Sequence, residues 1–85
     1  MTLFECERQA QELSPSRVDE NTYVWFDLRV GTRTTAVYWL DPYMGLLCIP
    51  GTGGFTLMSD LQTHLEGSDY SCDALRLQHV ANPGT

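Results

Sequence analysis

The run from Thr22 to Val30 does most to limit what this chain can become. Val24, Phe26, Leu28 and Val30 alternate with Tyr23, Trp25, Asp27 and Arg29, which is the two-residue period of a β-strand. Gly31-Thr32 leads tightly into a second run, Arg33 to Leu40, where Thr35, Val37 and Trp39 oppose Thr34, Ala36, Tyr38 and Leu40. Asp41-Pro42-Tyr43-Met44-Gly45 is turn chemistry, and Leu46 to Pro50 reads as a third, short strand. Three sequential strands with short connections predict an antiparallel meander over residues 22–50. A sheet open on one side carries polar residues there. This one carries large rings on both faces: Tyr23 and Trp25 oppose Val24 and Phe26, and Tyr38 and Trp39 take opposite sides of the next strand. Either a helix covers each face, or an aromatic face meets a partner or a second copy. With only two short helices in the sequence, contact with a partner or copy is the preferred expectation, since Tyr and Trp are common interface anchors.

The flanking segments complete the pattern. Thr2-Leu3-Phe4-Glu5 has the spacing of a capping box, and Leu3, Cys6, Ala10 and Leu13 then form one apolar helical stripe. Pro15 pushes the residue before it out of helical geometry, so a helix is predicted over 2–13 and a polar loop over 14–21. Gly51-Thr52-Gly53-Gly54 closes the meander. From Thr56 the period changes: Leu57 or Met58, Leu61 and Leu65 share a stripe, Asp60 suits the positive end of the dipole, and Gly67 is a helix stop. A helix is therefore predicted over 56–66. Residues 68–73 read as polar loop. Over 74–80, Leu75 and Leu77 alternate as in a strand while Leu77 and Val80 could share a helix face; the strand is preferred. Residues 81–85 are expected to fray. The expectation is one α+β domain in the order α-β-β-β-α-β, an antiparallel sheet of three to four strands with helices on one face.

Charge narrows the function. The 85 residues hold eleven acids against five arginines and no lysine, a net charge of −6. Between Thr34 and Leu75 there is no cation, while Asp41, Asp60, Glu66, Asp69 and Asp73 all fall there. Such a chain repels nucleic-acid phosphates and anionic membranes and favours basic partners. Solubility alone is the plainer explanation of the same charge. The apolar runs fall far short of the ~18 residues needed to span a bilayer. Glu5 and Glu7 sit where a signal peptide needs basic residues, so a cytoplasmic protein is expected.

No motif names a reaction. Cys6, Cys48 and Cys72 form no C-x-x-C, which fits free thiols, with Cys48 a small core hydrophobe. Pro50-Gly51-Thr52-Gly53-Gly54 lacks the lysine of a phosphate loop. Asp60 and His64 are helix neighbours beside which Cys72 or Cys48 could be imagined as a nucleophile, yet no signature supports it. His64 and His79 lack a third metal ligand at suitable spacing. Aromatic stacking on nucleic acid needs a basic groove, and only Arg29 and Arg33 lie near the rings. The expectation is a non-enzyme without cofactor, metal or direct nucleic-acid contact.

In its size, its cation-free stretch with those five acids and its lack of a catalytic motif, the chain resembles the small acidic inhibitors that phages encode, above all the anti-CRISPR proteins. That resemblance implies binding to a nuclease or CRISPR surveillance complex in a bacterial host, at a basic surface that normally holds DNA or RNA. Asp60, Glu66, Asp69 and Asp73 are the candidate charged contacts, and Tyr23, Trp25 and Tyr43 the candidate anchors. The alternatives are a structural subunit that dimerises through the Tyr23/Trp25 face, and an immunity protein against a nuclease toxin.

Overall fold

A computed structural model of the chain describes residues 1–16, 19–51 and 54–81. Helix α1 (Leu3–Leu13) is followed by a 3-10 turn (Ser14–Ser16), then β1 (Thr22–Val30), β2 (Arg33–Asp41), β3 (Leu46–Cys48), β4 (Phe55–Leu57), helix α2 (Met58–His64) and β5 (Tyr70–His79). The strands form one sheet in the order β4-β3-β2-β1-β5, antiparallel throughout. The α+β class is as expected, but the sheet has five strands rather than three to four. The fraying expected at the C-terminus lies, beyond Ala81, outside the described residues, as do residues 17, 18, 52 and 53.

Two segments account for the extra pairing, and each hid for a physical reason. Phe55–Leu57 is three residues long, too short to show a period, and it runs without a break into α2, so a helix beginning at Thr56 absorbed it. The helix is correspondingly shorter, Met58–His64 instead of 56–66. Residues 70–73 belong to β5 and not to a loop. Cys72 faces Leu28 and Leu77 faces Val24, so the buried positions shift from even to odd along the strand. A bulge opposite Phe26 causes the shift, with Ala74 in left-handed backbone at φ 57. An L-residue there costs about 1–2 kcal/mol, while glycine costs about 0.5–1 kcal/mol in chain entropy. Ala74→Gly should therefore raise the urea midpoint by the equivalent of roughly 0.5 kcal/mol at unchanged slope, and Ala74→Val should lower it.

Both helices pack on one sheet face. Leu3, Cys6 and Ala10 of α1, together with Leu61 and Leu65, close over Val24, Phe26, Leu28, Val37, Trp39, Leu47 and Cys72. The α1 cap is as expected in part: the Thr2 hydroxyl accepts the Glu5 N–H at 3.2 Å, and the Glu5 carboxylate turns to the same hydroxyl. Cys6 and Cys72 meet inside this core, where their mutual hydrogen bond and burial push the Cys6 thiol far above its ordinary range. All three cysteines are free and buried.

The start of β1 is set by Asp19. Its Oδ1 accepts the Asn21 N–H at 2.8 Å and the Thr22 hydroxyl at 3.0 Å, with His79 Nδ1 at 3.8 Å. The Asn21 N–H, then the Thr22 hydroxyl, hold the carboxyl below its usual value. A depressed folded value means the stabilisation exists above the ordinary aspartate range and is lost as pH falls through the folded value. The stability difference between wild type and Asp19→Asn should thus shrink as pH drops below about 3.9, read from urea midpoints along a pH series.

Candidate functional site

The helix-free face carries the rings that the sequence offered as anchors. A row crosses it in register: Phe55, Cys48, Tyr38, Trp25 and Arg76. Trp25 lies 4.7 Å from the Tyr38 ring, Tyr23 lies 5.4 Å from it, and the Arg76 guanidinium sits 6.0 Å above Trp25 while pairing with Asp27 at 3.2 Å. Tyr38 and Cys48 are fully buried and Trp25 is 9% exposed. The rings are thus covered within the chain, and Trp25 offers a partner little area. Cys48 stands on the opposite face from α2 and His64, so that imagined pair is divided by the sheet.

Of the four acids proposed as one surface, Asp69 and Asp73 share a network through Arg29 and Ser71, while Asp60 stands apart from them at the start of α2. The Met58 N–H donates to the Gly45 carbonyl at 2.7 Å, beyond one end of β2, and the Gly31 N–H donates to the Asp69 carbonyl at 2.9 Å, beyond the other. Asp60 lies in the first turn of α2, on the Gly45 side, and Asp69 follows the turn that ends the helix, on the Gly31 side. Asp69 pairs with Arg29 at 3.5 Å. Asp73 sits on β5 opposite Asp27 and accepts from Ser71, and Glu66 is exposed in the turn after α2.

At the Gly45 end a different set meets. Tyr43, Met44, Gly45, Leu57, Met58, Ser59 and Glu7 line a shallow groove of about 290 Å³. Of these, Tyr43, Met44 and Leu57 are 65%, 76% and 47% exposed, and Phe55, two residues before Leu57 on β4, is 58% exposed. Large apolar side chains concentrated at one corner mark an interaction site more often than scattered ones do. The turn that presents them is held firmly. Asp41 Oδ1 accepts the N–H groups of Tyr43 and Met44, the Tyr43 hydroxyl donates to the Gln11 carbonyl at 2.9 Å, and Gln11 donates to the Pro42 carbonyl. Gly45 has φ +67, and a Cβ there would come within 3.3 Å of the Glu7 carboxylate. Burial raises the Glu7 carboxyl above its ordinary value, so an approaching cation would relieve that cost.

Sequence reasoning named Tyr43 of this corner and missed Glu7, Met44 and Leu57. No linear signal joins Glu7 to Met44, because folding α1 onto the turn brings them together. Of the stripe expected from Leu57 or Met58 with Leu61 and Leu65, it is Met58 that packs on the core, and Leu57 is exposed. Among the described residues no three side chains converge as metal ligands, and no helix is long and apolar enough to cross a membrane. No protein-family model, curated protein or solved structure matches this chain.

Proposed function

We propose that this protein is an acidic binding protein that inhibits a larger partner by occupying its basic, nucleic-acid-binding surface. The observation that carries this reading is the charge left over after folding. Asp27 and Asp69 pair with arginines and Asp19 lies beside His79; the other eight acids make no ion pair among the described residues. Glu7 lines the exposed apolar corner, Asp41 holds the base of its turn, and Asp60 lies in the first turn of the helix that leaves it. Apolar area supplies affinity and unpaired acids supply attraction and register, the division seen in charged protein interfaces. Inhibition of a bacterial nuclease or CRISPR complex is the form of this function that the charge and size favour.

Affinity capture from a bacterial lysate, with mass spectrometry of the eluate, tests the reading. The expected result is one or a few basic, nucleic-acid-handling proteins retained at about 50 mM salt and released by about 1 M, where the screening length falls to roughly 3 Å. Recovery of no salt-sensitive partner would defeat it.

A further inference from the structure

The two edges of the sheet are treated differently. On β5, the Met1 backbone exchanges hydrogen bonds with Cys72 at 3.0 and 3.2 Å, and the bulge at Ala74 bends the strand away from a regular ladder. Both devices block edge-to-edge pairing. On β4, Phe55–Leu57 carries no charge, no proline and no bulge, and among the described residues no strand pairs with its outer side. Its exposed Phe55 and Leu57 adjoin the anchored turn that presents Tyr43 and Met44. An unguarded edge beside a rigid apolar platform is the arrangement that accepts an added strand, main-chain bonds giving affinity and alternate side chains giving specificity.

Resting on the binding reading above, we infer that β4 is the docking edge, and that its occupant is an extended segment of the partner in which basic residues alternate with apolar ones. Glu7 beside the groove and Asp60 in the first turn of α2 meet the basic positions; Met44 and Leu57, with Phe55 further along β4, meet the apolar ones. Charge decides against a second copy as occupant. Two chains of net charge −6 would bring the same acids together, whereas an arginine-bearing strand neutralises them.

The probe is a capped peptide of about eight residues alternating arginine and valine, titrated into isotope-labelled protein at low salt and followed by amide NMR. Shifts should concentrate at residues 43–46 and 55–59, and a threonine–valine peptide of equal length should bind at least ~10-fold more weakly. The exposed double change Met44→Gln/Leu57→Gln leaves every charge in place and should weaken the arginine peptide by ~10-fold or more while keeping its salt dependence. Shifts centred on β5 or on the Trp25 face would overturn the assignment of the edge, and so would wild-type affinity in the double variant. The shift map needs no variant, so it stands if the double change impairs folding. A dimer of the free protein in sedimentation, lost in that variant, would replace the basic partner with a second copy. Salt-sensitive binding at another surface would sink the edge and spare the binding reading; no salt-sensitive binding to peptide or lysate proteins would sink both.

Discussion

Trp39→Ala is expected to remove cooperative folding or to lower the urea midpoint by roughly 3 M, the largest stability effect of any substitution considered. The Trp39 side chain is 1% exposed, lies 5.9 Å from the Phe26 ring and stands at the centre of the core under both helices. Deleting a buried tryptophan costs about 3–5 kcal/mol through lost transfer energy and the cavity left behind. A domain of this size holds only about 5–10 kcal/mol in total, with a urea slope near ~1.3 kcal/mol/M. Phe55→Ala is the paired control. At 58% exposure it should cost less than about 1 kcal/mol, because little of that ring leaves water on folding. If Phe55→Ala proved as costly as Trp39→Ala, the β4 edge would be part of the core and not a surface open to a partner.

The second large effect concerns association. Glu7→Gln, Asp41→Asn and Asp60→Asn together remove three charges around the Tyr43/Met44 corner, and the amide at position 41 keeps an acceptor for the turn N–H groups. Glu66→Gln, Asp69→Asn and Asp73→Asn remove three charges elsewhere, so both triple variants reach the same net charge. The corner variant should slow association with the captured partner by ~10-fold or more at low salt, because steering depends on where charge sits as well as on its sum. The matched variant should lose about 3-fold or less. Asp69 is already neutralised by Arg29, and Asp73 stands on the far edge strand. Stopped-flow association rates across a salt series measure both, and equal slowing would mean that only net charge matters.

How much of this was legible in the sequence depends on whether local pattern or tertiary closure decided each feature. The alternation from Val24 to Val30 and its partner run up to Leu40 gave β1 and β2 almost to the residue, since strong period-2 patterning survives folding unchanged. The α1 stripe of Leu3, Cys6 and Ala10 is buried as its spacing required. The phase shift between Cys72 and Leu75 concealed half of β5, because a bulge erases the period that identifies a strand. The sequence put the aromatics on both faces, but it could not show that Tyr38 and Trp25 would lie against one another and close their own face. The candidate site was the least legible part. Asp60 to Asp73 looked continuous along the chain, yet helix α2 and the turn after it carry Asp60 away from Asp69 and Asp73 on the Arg29 side. Glu7, 51 residues before Met58 in the chain, meets it across the groove through the packing of α1 on the Gly45 turn.

Competition with nucleic acid tests the proposed function most directly. A fluorescent oligonucleotide is bound to the captured partner, this protein is titrated in, and anisotropy is read at constant salt. Occupation of the basic surface predicts that the oligonucleotide is displaced fully, with the midpoint moving in proportion to oligonucleotide concentration. A stable ternary complex, with anisotropy that rises or stays level as the protein binds, would contradict it.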